Sequence, residues 1–201
     1  MAKRVLLAGI LGGIAMFAWS FIAHMVLPLG MTGFREIPNE QAVLTALNST
    51  IGQRSGLYMF PGMGLGDNPS MKDVNAAMPQ YEKKLANNPN GILIYHPPGG
   101  KAMEPRQLVT EFLTEVILAL LAAWLLSRTQ LGSYAARVGF VLGVGIVAAI
   151  ATNVPYWNWY GFPSNYTIAY MTIEIVEFLV AGLVAAAVLK HGAARAQAAR
   201  I

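Results

Sequence analysis

YMTIEIVEFLVAGLVAAAVLK, residues 170–190, is an apolar run long enough to cross a lipid bilayer, and it carries two acids, Glu174 and Glu177. An acidic side chain near the bilayer centre costs about 2.5–3.5 kcal/mol on insertion scales. A stretch that keeps two of them inside roughly 20 otherwise apolar residues reads as a membrane helix with a polar task.

The rest of the chain agrees with that reading. Of its 201 residues, 55% are hydrophobic and only 12% are charged, where a soluble domain carries about 25% charge. The chain has no cysteine. Disulfides, thiolate metal sites, iron–sulfur clusters and cysteine nucleophiles are therefore excluded. The net charge is +4. No nucleic-acid module accompanies it, so its meaning lies in where the positive charges fall along the spans.

Three more stretches approach spanning length: residues 5–27, stopped by Pro28; residues 108–126; and residues 134–154, stopped by Pro155. The fourth span starts near Tyr166 and ends at Lys190. Lys3 and Arg4 precede span one, Arg128 and Arg137 bracket the turn between spans two and three, and Lys190, Arg195 and Arg200 follow span four. Those regions hold seven basic residues and no acid, whereas residues 28–107 hold seven basic and six acidic residues. By the positive-inside rule both termini are cytoplasmic, and residues 28–107 and 155–165 face outward. MAKR resembles a signal-peptide start, but the apolar run behind it is too long and no A-x-A site follows, so it reads as a retained span. The cysteine-free, short-looped layout points to a bacterial cytoplasmic (inner) membrane. The fold expected is an all-α integral membrane protein, a four-transmembrane-helix bundle with a small extracytoplasmic α/β cap between helices 1 and 2.

Residues 28–107 are too many for a connection without structure of its own. Ile37, Val43, Leu44, Leu47 and Ile51 have helical spacing, with Asn39 as a candidate N-cap. SGLYMFPG (55–62) and GILIYHPPGG (91–100) read as strands, and residues 69–91 as a helix interrupted near Pro79. A two-stranded sheet is marginal alone, so the cap is expected to lean on the bilayer surface or on the bundle. PGMGLGD (61–67) lacks the Lys-Ser/Thr of a phosphate-binding loop and reads as a turn. Residues 191–201 form a basic cytoplasmic tail, and His191 opens it.

The polar residues of the spans gather on the outward side. Glu174 and Glu177 share a face of span four, Glu111 and Glu115 share a face of span two, His24 and Ser20 lie near the outer end of span one, and Thr152 and Asn153 near the outer end of span three. Polar groups in lipid turn toward the bundle interior. His24, Glu111, Glu115, Glu174 and Glu177 are therefore expected to converge as a metal or proton site. With no Lys or Arg deep in any span, four carboxyls cannot all ionise together. VPYWNWYGFPSNY (154–166) sets Tyr156, Trp157, Trp159 and Tyr160 at the headgroup level, either as an interfacial anchor or as a pocket wall.

Three functions fit these residues. The leading reading is a non-catalytic accessory or assembly subunit of a larger membrane complex, in which the acids serve packing and G-x-x-x-G pairs at Gly9/Gly13 and Gly139/Gly143 are helix contacts; the other two are alternatives. They could bind or translocate a cation or proton; the Glu-x-x-His pairs of a di-iron bundle are missing. They could do acid–base chemistry on a quinone or lipid. No cofactor is required by the sequence. The partners expected are the lipid bilayer and, beyond it, other membrane subunits or further copies of the chain.

Overall fold

A computed structural model describes residues 1–66 and 68–189. The charges placed on Asp67, Lys190, His191, Arg195 and Arg200 lie outside the described residues. The chain divides into two units: Met1–Phe34 together with the three long helices that follow residue 103, and Arg35–Ala102.

The larger unit is a four-helix bundle. Helix α1 spans Ala2–Phe21 and runs on through a π-helical turn, Ile22–Val26, before Pro28. After the smaller unit's α2 and α3, described below, come α4 (Pro105–Ser127), α5 (Tyr134–Tyr160) and α6 (Ser164–Val188). All four long helices, counting Ala2–Val26 as one, are long and apolar enough to cross a membrane. At about 1.5 Å per residue each covers a hydrocarbon core roughly 30 Å thick.

Small side chains set the packing. Helix α1 lies against both α4 and α6, α5 lies against α6, and α4 touches α5 and α6 only lightly. The core is rich in alanine, with Ala8, Ala119, Ala123, Ala181 and Ala185 around Met16, Val141 and Phe178. A Cβ on Gly13 would stand 2.5 Å from the Val116 Cα, so a larger residue there would drive α1 and α4 apart. Close approach of this kind gains dispersion where lipid removes any hydrophobic drive between helices.

The structure departs from the sequence reading at Pro155. The helix expected to stop at Val154 continues through the proline to Tyr160 and ends at Gly161, whose φ of 69° breaks it. Proline removes one backbone donor, but Thr152 and Asn153 just before it return hydrogen bonds to the carbonyls of Ala148 and Ala149 and hold the turn. The expected outer loop of residues 155–165 is thus largely helix, and only 161–163 join α5 to α6.

Arg137, first read as an orientation charge, is buried and acts as a clamp. Its guanidinium donates to the carbonyls of Ser133 (3.3 Å), Gly132 (3.5 Å) and Leu189 (3.3 Å). The last of these is the carbonyl of the residue that ends α6, where positive charge suits the helix dipole.

The smaller unit runs α2 (Glu40–Thr50), β1 (Gly56–Phe60), α3 (Met71–Asn87), β2 (Gly91–Tyr95). The strands pair antiparallel with Gly56 opposite Tyr95 and Phe60 opposite Gly91. Asn39 precedes α2, but its φ of 54° turns its side chain from capping and it accepts no bond. Helix α3 is continuous through Pro79. It begins with a reciprocal cap, in which Asp73 N–H donates to Ser70 Oγ (3.2 Å) and Ser70 N–H to Asp73 Oδ2 (3.3 Å). Lys84 reaches the Gly62 carbonyl at 2.8 Å and ties α3 to the end of β1.

Candidate functional site

The four glutamates of the bundle come from two helices. Helix α4 carries Glu111 and Glu115 one turn apart, and α6 carries Glu174 and Glu177. Glu115 is 3% exposed and Glu177 is 8% exposed, whereas Glu174 is half-buried and Glu111 is exposed. The four lie near enough to interact through their charges: Glu111 and Glu174 act on Glu115, and all three act on Glu177.

Hydrogen bonding treats the four unequally. The Asn153 side-chain amide donates to Glu174 Oε2 at 3.0 Å and to the Ala149 carbonyl at 3.0 Å, so α5 joins the cluster through one residue. Glu115 Oε2 is fully buried and has no hydrogen-bond partner among the described residues. A carboxyl oxygen held this way loses its hydration without any replacement, a cost of about 1–3 kcal/mol or more. Trp19 of α1 donates its indole N–H to the Ile173 carbonyl at 3.1 Å, beside the same stretch of α6.

His24 stands with aromatic side chains. Its Nδ1 lies 2.9 Å from the Ser20 carbonyl, which can only accept, so Nδ1 carries a hydrogen. Its ring meets the edge of Tyr170 at 6.1 Å, and Gly30 packs on its other edge. Tyr170 donates to the Gly30 carbonyl at 3.3 Å and stacks on Tyr166 at 4.3 Å. Tyr170 is one turn before Glu174 on α6. The π-helical turn that carries His24 is a local widening of the kind often found at functional sites. Spacing in the sequence gives no sign of it.

Among the described residues no group of three or more His, Asp or Glu side chains converges closely enough to hold a metal ion. Tyr156, Trp157, Trp159 and Tyr160 occupy the last turns of α5, and all four are exposed. Trp157 donates to Ser164 Oγ at 3.0 Å and staples α5 to the start of α6. In the smaller unit a cleft of about 520 Å³ lies between α2 and the end of β2, lined by Leu44, Asn48, Tyr95, His96 and Pro98 among others. Its walls carry no charged side chain.

Sequence spacing points to the glutamate pairs but not to Asn153 as a partner of Glu174, nor to Arg137 and Trp19 as bridges between helices. Each of those depends on which helix lies opposite. No protein-family model, no curated protein and no solved structure matches this chain.

Proposed function

We propose that this chain is an integral membrane protein that binds protons on the Glu111–Glu115–Glu174–Glu177 cluster and passes them through the bundle. The observation that carries this reading is the buried, unpartnered Oε2 of Glu115 among three other carboxyls. A buried carboxyl without a donor is a place where a proton is held more easily than a charge, and the neighbouring carboxyls offer the next acceptors. A proton moves from one carboxyl oxygen to another with no other bond made or broken. A proton needs one carboxyl at a time, whereas a metal needs several ligands together, and among the described residues no three converge. In this reading both termini are cytoplasmic, residues 35–102 are extracytoplasmic and the cluster lies in the outer half of a bacterial inner membrane.

The test is proton flux into liposomes that contain the purified protein, followed with an internal pH dye. The wild-type chain is expected to dissipate an imposed pH gradient. Glu115→Gln and Glu177→Gln keep the shape and are expected to slow the flux by on the order of tenfold or more. Wild-type flux no greater than that of empty liposomes would end the proposal of translocation.

One observation favours a second reading, an accessory subunit in a larger membrane complex. Gly139 and Gly143 of α5 form a small-residue pair with nothing among the described residues within 4 Å of either added Cβ, whereas Gly9 and Gly13 are filled by α4. An open pair of this kind suits a helix from a partner subunit or a second copy. Native mass spectrometry from the source membrane distinguishes a hetero-complex from a homo-oligomer or a single chain.

A further inference from the structure

The smaller unit carries an apolar sheet face whose side chains are exposed. Leu57 pairs with Ile94 and Met59 with Ile92 across the two strands. Directly paired residues, and residues two apart on one strand, share a face. These four side chains therefore form one patch, with Leu57 70%, Ile94 67%, Met59 54% and Ile92 36% exposed. The other face carries Tyr58, Leu93 and Tyr95, which are buried or half-buried.

We infer that this face docks on the outer leaflet of the bilayer as an interfacial lipid-binding patch. The inference rests on the long helices being membrane spans, and it is independent of any proton chemistry. Two observations select lipid as the occupant. The first is the tether. The unit runs from Arg35 to Ala102, while the span before it ends at Val26 and α4 begins at Pro105. Residues 29–34 already pack on the bundle, through the 3-10 turn Leu29–Met31 and the Phe34 ring on Tyr166, and residues 103–104 join the unit to α4 by a link of roughly 10 Å at about 3.3–3.6 Å per residue. Both ends of the unit thus continue by short links into the elements read as membrane spans. The second is charge. Residues 52–62 and 88–98, which include both strands, hold a single charged side chain, Arg54, and no acid. Lys84 stands on the carbonyl of Gly62 just past the other end of β1. An acid-free apolar face with a basic residue near each end matches an interface of acyl chains beneath anionic headgroups.

The chain lacks cysteine, so single spin labels can be placed without background. Leu57→Cys and Ile94→Cys, labelled in the full-length protein in liposomes of phosphatidylethanolamine and phosphatidylglycerol, test the face. Asn87→Cys, at the exposed end of α3, is the reference. Labels at 57 and 94 are expected to collide with dissolved oxygen and to escape a water-soluble nickel complex, and the label at 87 is expected to do the reverse. Free collision of 57 and 94 with nickel would overturn the inference, since the face would then be in water. Protection from both reagents would overturn it as well, since protein, either this bundle or a second copy, would then cover the face. Should a label disturb the sheet, photoactivatable lipid added to the unsubstituted protein gives the same answer. Adducts within 56–60 and 91–95 support the patch, and adducts confined to the four spans exclude it.

Discussion

Glu115 and Asn153 make opposite demands on the bundle, and their substitutions should move stability in opposite directions. Asn153 donates across the α5–α6 contact to Glu174. Asn153→Ala should cost about 0.6 kcal/mol, the average for an interhelical hydrogen bond in a membrane protein. Glu115 Oε2 accepts nothing. Glu115→Leu removes a buried acceptor without a donor and should stabilise the protein by about 1 kcal/mol while it abolishes proton flux. Reversible unfolding in mixed detergent measures both. A loss of stability in Glu115→Leu as large as that of Asn153→Ala would mean that the carboxyl serves packing, as in an accessory subunit. At this scale the sequence is a partial guide. The pairs Glu111/Glu115 and Glu174/Glu177 are legible because helical spacing alone puts each pair on one face. His24 is legible as a polar residue in a span, but its tautomer and its place beside Tyr170 follow from a widened turn and from Gly30, which spacing does not encode.

Among the elements, the glycines of α1 and α5 separate internal packing from external docking. Gly13→Leu sets a side chain against the Val116 backbone and should destabilise the bundle by about 1–3 kcal/mol. A Cβ added at Gly139 meets no atom among the described residues, so Gly139→Leu should leave unfolding unchanged. If a partner helix docks on that face, Gly139→Leu should reduce the mass of the native assembly, and native mass spectrometry reads that directly. A destabilised Gly139→Leu monomer would mean that the face is not free. Helix existence is legible in the sequence because apolar length decides it, whereas helix ends are less so. Pro155 reads as a stop, yet α5 continues to Tyr160 because a proline late in a helix costs little when neighbouring side chains support the turn. Pro79 reads as a break for the same reason, yet α3 passes through it.

For the whole molecule, the proposed orientation is open to a direct test. A membrane-impermeant maleimide applied to intact cells should label Lys83→Cys in α3 and should leave Lys3→Cys and Arg128→Cys unmodified until the cells are opened. The opposite pattern would invert the protein and place the carboxyl cluster in the cytoplasmic half. The four-helix count and the small mixed unit can be read from hydropathy and turn residues. How the helices pair depends on small-residue contacts such as Gly13 on Val116, which composition does not reveal.

The α5–α6 hairpin is fastened at both ends, by Trp157 on Ser164 beside the short connection and by Arg137 on Leu189 at the far end. A hairpin tied twice shifts as a single lever. Helix α4 is held chiefly by α1 and rests lightly on that lever. The compliant seam of the bundle therefore runs between α4 and α6, and all four acids of the long helices border it. If the proposed proton binding holds, any change in the charge of those acids would fall on the lightest contact of the bundle and be felt first as a push on α4.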